Sequence, residues 1–217
     1  MRIIAEITKD FLNRNLNLPE EEIYKTPAVN GGKKFLTVIR RGDSPANYYY
    51  FSQRLGINSI RFILYDKSRP KPFCLLEQLE ASHNKLKIGA YSGSLDKKGY
   101  TPLQVCREEV NEESMFNIEE DDIGRITLVS VRSVGSQSNE NAYLYLVDVE
   151  GLPEVGTNPE NEWEENTNHH WLSLEEVKTK GDWASYIIAD SVRVLNTDKT
   201  QNGQIIASEG LNSRRRS

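Results

Sequence analysis

The chain has 217 residues, a formal net charge of −5 and an ordinary globular composition, with 37% hydrophobic and 27% charged residues. Its acidic balance argues against a protein built to grip nucleic acid or an anionic membrane, and its apolar runs are too short to cross a bilayer. Charges enter the first residues too early for a signal peptide. We therefore expect a cytoplasmic protein without membrane or nucleic-acid partners, in which Cys74 and Cys106 are reduced core residues.

Residues 1–56 are predicted to form a β-rich N-terminal extension. It opens with a strand or helix over Ile3–Phe11 and continues through a polar, Asn-rich stretch to a turn at residues 30–32. Strands are predicted at Phe35–Ile39 and Tyr48–Phe51, because β-branched and aromatic residues favour extended chain.

The following domain, over residues 57–196, begins with strands and leads to one prominent helix. Apolar runs separated by a polar turn predict three strands, at Ser59–Tyr65, Pro72–Gln78 and Leu86–Tyr91. A turn at Asp96–Gly99 precedes a helix over Pro102–Ser114. Thr101 is the expected N-cap of this helix, and a proline suits its first position.

The rest of the domain alternates between strands, loops and short helices. The expected elements are strands at Arg125–Val134, Ala142–Glu150 and Trp171–Leu172, an acidic loop at Gly151–Thr167, and helices at Leu174–Lys178 and Trp183–Leu195. Residues 197–217 form a polar tail. Strands predominate, with one helix midway and two at the end, which indicates the α+β class.

One face of the helix over Pro102–Ser114 is apolar, and the neighbouring face is acidic. The apolar stripe consists of Leu103, Cys106 and Val110. The acidic face consists of Glu108, Glu109, Glu112 and Glu113. Such a face is tolerated if it is fully solvated, the commoner case for an arbitrary acidic segment, or if it holds a divalent cation. Its place on an amphipathic helix after a strand and a Gly-x-Thr-Pro turn favours the cation, and hard oxygen ligands suit Mg²⁺ or Mn²⁺.

The segment Gly93–Phe116, GSLDKKGYTPLQVCREEVNEESMF, resembles the Nudix box, written G-x5-E-x7-R-E-U-x-E-E-x-G-U with U apolar. In the matching register, Glu109 is the Glu of the R-E pair, and Glu112 and Glu113 are the E-E pair. These are the three acids that carry the metal in that family.

Other positions of the box differ from the pattern. The Arg is Glu108, the first Glu is Tyr100 and the second Gly is Met115, while the leading Gly lies one place out of register. A register with Arg107 and Glu108 as the R-E pair is rejected, because it places a glutamate in an apolar slot and Asn111 in a metal slot.

The resemblance covers roughly residues 57–196, and it is most similar to the ADP-ribose pyrophosphatases of the Nudix family. The further matches, in chain order, are a YDxxR…LxxQ hairpin at residues 63–78, an SPGxxxE-like loop at 133–140 with Val134 for Pro, an acidic loop at 160–165, a strand–helix step at 171–176 and a closing helix at 181–188.

The resemblance implies a Nudix-type α/β/α sandwich with a mixed sheet and a catalytic helix, and a homodimer to which residues 1–56 contribute. It implies hydrolysis, dependent on Mg²⁺ or Mn²⁺, of the diphosphate in ADP-ribose or a related small-molecule nucleoside diphosphate. The implied metal ligands are Glu109, Glu112, Glu113 and, as a fourth, Glu108. The candidate general bases are Glu162 and Glu165, although a solvated, solubilising loop is the equal alternative there. The candidate substrate-binding residues are Arg69, Gly93 and Glu140.

Two other functions remain open. One is a Nudix enzyme that acts on NADH, capped RNA or nucleoside triphosphates. The other is a non-hydrolytic module that binds or senses a nucleotide, which the departures at Glu108 and Met115 favour. Retention of three mutually repelling acids favours an enzyme. The adjacent His169 and His170 are expected to point to opposite faces of a strand, so we do not expect them to share a metal.

Overall fold

The computed structural model describes residues 20–25, 36–44, 47–54, 58–80, 85–135, 138, 140–156 and 167–193. The chain divides into two compact units. One comprises residues 1–55 and 133–140, and the other comprises residues 56–132 and 141–217.

The first unit contains a three-stranded antiparallel sheet. Its strands, in spatial order, are β1 (Glu20–Lys25), β2 (Leu36–Ser44) and β3 (Asn47–Arg54). The sequence did not predict β1, because a run of three glutamates is typical of a loop. The strand pairs with β2, where Arg40 lies opposite Glu21 and forms an exposed ion pair with it. The element expected at Ile3–Phe11 and the turn at residues 30–32 lie outside the described residues.

The second unit is built on a seven-stranded mixed sheet. Its strands are β4 (Ser59–Tyr65), β5 (Phe73–Glu80), β6 (Lys85–Gly89), β7 (Tyr91–Ser94), β8 (Ile126–Ser133), β9 (Asn141–Asp148) and β10 (Asn168–Leu172). The spatial order is β10-β5-β4-β9-β8, with β6 paired to β5 and β7 paired to β4. The central strand β4 runs parallel to β9 and antiparallel to β5 and β7.

Helices cover both faces of this sheet. They are α1 (Pro102–Glu113), α2 (Leu174–Lys180) and α3 (residues 183–193), and a 3₁₀ helix over Glu120–Arg125 leads into β8. Alternate residues of β4, namely Ile60, Phe62 and Leu64, share one buried cluster with Val105, Cys106 and Val110 of α1. Arg61 points to the other face, where it contacts Asp182 and the ring of Trp183 at the start of α3. The α+β class and the α/β/α sandwich with a mixed sheet are confirmed.

The prediction of a single strand over Leu86–Tyr91 is wrong in one respect, because the structure has two strands in this region and they meet at Ala90. The amide of Ala90 donates to Asp182 Oδ1 at 3.3 Å. Before that point β6 pairs with β5, and after it β7 pairs with β4. The break depends on Asp182, which is distant in sequence, so the local pattern does not reveal it.

Both cysteines are buried and free, as the sequence predicts. Burial raises the pKa of the Cys74 thiol to about 12 and raises the pKa of Cys106 as well. Neither thiol is therefore ionised near neutral pH, which is typical of unreactive core cysteines.

The start of α1 is set by a complete capping box. The hydroxyl of Thr101 accepts the amide of Gln104 at 3.3 Å, and the side-chain oxygen of Gln104 accepts the amide of Thr101 at 2.9 Å. Pro102 occupies the first turn, where its missing N–H costs nothing. The predicted helix start is confirmed.

Thr101→Ala is expected to lower the free energy of unfolding by about 1 kcal/mol, because it leaves an amide of the first turn without its cap. Urea unfolding followed by circular dichroism measures this change. Thr101→Ser keeps the hydroxyl and is expected to match the wild type within a few tenths of a kcal/mol. A loss of equal size in both variants would contradict the capping role.

Candidate functional site

The four glutamates of α1 form a half-buried acidic face at the edge of the core. They are Glu108, Glu109, Glu112 and Glu113. Their position follows from the buried face of the helix, where Val105, Cys106 and Val110 are 0–1% exposed and fix its rotation against the sheet. Leu103 of the predicted apolar stripe is only partly buried and packs against this cluster, and the core position is taken by Val105, which the spacing did not predict. The helix thus presents four carboxylates on successive turns, three to four residues apart.

Gly93 of β7 lies directly against the side chain of Glu109. A Cβ atom added at Gly93 would overlap the Glu109 carboxylate and its Cγ. No other residue type fits there unless Glu109 moves. Gly93 therefore forms a cradle for Glu109, a contact that the sequence did not predict, and its assignment to substrate binding stays a prediction.

Lys97 supplies a cation to the acidic face. It lies in the turn between β7 and α1, and its Nζ is 2.8 Å from Glu108 Oε2 and 3.9 Å from Glu112 Oε1. The hydrogen bond to Glu108, together with the charges of Glu112 and Glu109, raises the pKa of Lys97. An ammonium group therefore bridges two of the four carboxylates.

The donor chemistry of this face fits Mg²⁺ or Mn²⁺, since it offers hard carboxylate oxygens, one of them in a backbone cradle. The side chains as placed do not converge on one point. Within the described part of the chain, no group of three or more His, Cys, Asp or Glu side chains is arranged to hold a metal ion. The metal-ligand assignment stays a prediction.

Arg69 lies in a well-defined cluster at the β4–β5 hairpin. Its Nε donates to Asp66 Oδ2 at 3.0 Å, its Nη2 donates to Glu154 Oε1 at 2.7 Å, and its guanidinium stacks 4.0 Å from the centre of the Trp171 ring. Asp66 is itself held by the amide and hydroxyl of Ser68. The predicted role of Arg69 in substrate binding is untested, and the structure shows that Arg69 links the hairpin to β10 and to the loop after β9.

The described residues on each side of the acidic loop form hydrogen bonds that hold the two ends of the loop. Before the loop, the amide of Val155 donates to Met115 O at 2.8 Å, just past the end of α1. After the loop, His169 Nδ1 and Tyr91 Oη share a hydrogen bond of 2.8 Å, and the charge of Glu113 acts on Tyr91. Glu162 and Glu165 themselves lie outside the described residues.

Tyr91 and His169 form a polar pair in which Tyr91 is fully buried and His169 is half-buried. Tyr91 Oη also lies 3.5 Å from Cys74 Sγ, and burial raises the pKa of Tyr91 well above its usual value. Burial, assisted by His170, lowers the pKa of His169 from 6.5. His170 instead contacts Glu77 at 3.2 Å, so the two histidines have different partners, as expected.

Glu140 is the remaining predicted site residue. It belongs to the first compact unit, is 5% exposed, and its backbone carbonyl accepts the amide of Val134 at 3.0 Å. Its assignment to the substrate stays a prediction.

Sequence reasoning missed Lys97, Glu154 and Tyr91. The contact of Lys97 could have been predicted, because a lysine a few residues before an acidic helix can reach its carboxylates. The contacts of Glu154 and Tyr91 could not, because their partners are distant in sequence, as in the 85-residue separation of Arg69 and Glu154.

Comparison with known proteins gives a likeness of architecture only. No family model matches this sequence, and no curated protein matches it. Among solved structures, an ADP compounds hydrolase superimposes with a TM-score of 0.48 and 12% sequence identity, over 85% of this chain and 95% of that one. In addition, none of the helices in the described ranges is long and apolar enough to cross a membrane.

Gly93→Ala is expected to displace the Glu109 side chain and to lower the free energy of unfolding by about 1 kcal/mol, because the new Cβ overlaps the flexible end of that side chain. Chemical denaturation measures the effect. The double variant Gly93→Ala/Glu109→Ala is expected to recover most of the loss, since the overlapping atoms are gone. Gly124→Ala, where a Cβ meets open space, is the matched control and is expected to change stability by less than about 0.5 kcal/mol. A double variant no more stable than Gly93→Ala would contradict the cradle.

Stability is expected to fall on mild acidification because of His169. The folded state lowers the pKa of His169, so the unfolded state takes up the proton first. The loss therefore begins as the pH drops below about 6.5, the ordinary histidine value, and ends below the lowered folded pKa. Urea midpoints measured from pH 8 to 5 test this: His169→Gln should flatten this part of the profile, whereas His170→Gln should leave the His169 contribution in place. An unchanged profile in His169→Gln would contradict the assignment.

Proposed function

We propose that this chain is a Nudix-type hydrolase, dependent on Mg²⁺ or Mn²⁺, that cleaves the diphosphate of ADP-ribose or a related nucleoside diphosphate derivative. The observation that carries the proposal is the seat of Glu109 against the backbone of Gly93, beside Glu108 and Glu112, which already bind a cationic group. A solvated acidic face would need neither the cradle nor the half-burial of its carboxylates.

A diphosphate can bind at the acidic face only if added positive charge offsets the carboxylates of α1. A diphosphate is an anion, and the carboxylates of α1 would repel it. Glu109, Glu112 and Glu113, with Glu108 as a fourth ligand, would hold the metal. When bound, Mg²⁺ or Mn²⁺ supplies charge neutralisation for the diphosphate and lowers the pKa of a coordinated water.

The proposed reaction is an attack of water on the diphosphate. A water oxygen forms a bond to one phosphorus of the diphosphate, and the bond from that phosphorus to the bridging oxygen breaks. The products are a nucleoside monophosphate and a phosphorylated sugar. One water proton passes to a general base, and our candidates are Glu162 and Glu165 of the acidic loop, whose preceding flank is tied to the end of α1 by the hydrogen bond from Val155 to Met115.

Arg69, Gly93 and Glu140 complete the proposed set as substrate-binding residues. The guanidinium of Arg69 is held by Asp66 and Trp171, so its direction is fixed before a phosphate arrives. Homodimer formation through residues 1–56 and a cytoplasmic location stay predictions.

One observation favours a second candidate, a nucleotide-binding module without hydrolysis. Lys97 already neutralises part of the acidic face, and no three described carboxylates converge on one point. Such a module would bind ADP-ribose without turnover.

Phosphate release after coupled phosphatase treatment tests the proposal. The panel is ADP-ribose, NADH, ADP-glucose, diadenosine polyphosphates, nucleoside triphosphates and capped RNA, each with Mg²⁺, Mn²⁺ or EDTA. Metal-dependent turnover with ADP-ribose preferred is expected. Preference for another substrate would replace ADP-ribose and keep the reaction. Absence of turnover on all of them, with a thermal shift on ADP-ribose, would replace hydrolysis by binding.

Glu112→Gln and Glu113→Gln are each expected to lower kcat about a hundredfold or more, because each removes a proposed metal ligand. Their free energy of unfolding should stay level or rise by a few tenths of a kcal/mol, since like charges on the helix repel less. Glu120→Gln, at an exposed position in the 3₁₀ helix, is the matched control and should keep full activity. Full activity in both helix variants would remove these residues from the site.

A further inference from the structure

Three negatively charged glutamates attract the ammonium group of Lys97. Its Nζ bonds to Glu108 at 2.8 Å, lies 3.9 Å from Glu112, and is attracted by Glu109. These carboxylates belong to two successive helical turns of α1, whereas Lys97 belongs to the loop that connects β7 to α1. The ammonium therefore lies where the acidic face concentrates its negative potential.

A divalent cation bound by Glu108 and Glu112 would compete with the ammonium for the same two carboxylates. The ammonium uses Glu108 Oε2 and Glu112 Oε1, and its own charge would repel a second cation placed beside it. The side chain of Lys97 is 39% exposed, so the lysine can swing into water on its flexible stem at small cost.

We propose that Lys97 is an internal competitor of the divalent cation, an ammonium that binds Glu108 and Glu112 and must leave before a metal can use both of them. The proposal rests on the proposed function, because it concerns the metal ligands named there.

Two consequences follow. Lys97 relieves the repulsion among the glutamates of α1, so it stabilises the chain in the presence of a chelator. It also weakens divalent-cation binding, because the metal must displace the ion pair. Removal of its charge is therefore expected to change these two properties in opposite directions, which a purely structural surface lysine would not do.

Mn²⁺ binding followed by the electron paramagnetic resonance signal of free Mn²⁺ tests the proposal without relying on catalysis. Lys97→Gln is expected to bind Mn²⁺ about threefold to tenfold more tightly than the wild type. The same variant is expected to unfold at lower urea concentration in EDTA, and this difference should shrink or reverse at saturating Mn²⁺. Lys97→Met, which keeps the aliphatic stem, repeats the test.

Lys98→Gln is the matched control, because Lys98 is the exposed neighbour in the same turn and its loss changes the net charge equally. Its Mn²⁺ affinity should stay within about twofold of the wild type. Lys97→Arg keeps the charge and should remain close to the wild type. Unchanged or weaker Mn²⁺ binding in Lys97→Gln, or equal tightening in Lys98→Gln, would overturn the proposal.

Glu109→Gln separates this proposal from the proposed function. Weaker Mn²⁺ binding in Glu109→Gln, with no change in Lys97→Gln, overturns the competition alone. Equal Mn²⁺ binding by the wild type and Glu109→Gln overturns the metal site, and the competition with it.

Discussion

The packing of α1 onto alternate residues of β4 is the contact on which the candidate site depends. It buries Val105, Cys106 and Val110 almost completely and so fixes the rotation of the helix. The glutamates beside that stripe then have to lie at the edge of the core, half-shielded from water. Their repulsion is tolerated because the apolar contact supplies more free energy than helical charge pairs of a few tenths of a kcal/mol remove.

The parts of the fold that the sequence predicted are those that local chemistry decides. The capping box at Thr101, the apolar period of α1 and the polar turn after Tyr65 each depend on residues a few positions apart. The strand β1 and the break at Ala90 make contacts with Arg40 and Asp182, which come from other elements of the chain. No window of sequence contains both members of such a pair.

The same division runs through the site. The acidic face was found from helical spacing and Gly93 from the Nudix resemblance, and the structure adds that a side chain at Gly93 would overlap Glu109. The partners of Arg69 were not found, because Trp171 and Glu154 come to it from other strands and loops. The Nudix resemblance placed Arg69 near substrate, whereas its position is determined by an aromatic ring and two carboxylates. Sequence patterns therefore identify the residues that carry the chemistry of a site better than they identify the residues that hold those side chains in position.

The parallel pairing of β4 with β9 has a consequence for synthesis of the chain. Residues 59–65 pair with residues 142–148, so one side of the central strand stays open until Asp148 has left the ribosome. By then β5, β6, β7 and α1 are already available to pair with β4 or cover it. A nascent chain that ends before β9 therefore exposes an apolar strand edge in the middle of its sheet, where association with other chains competes with folding.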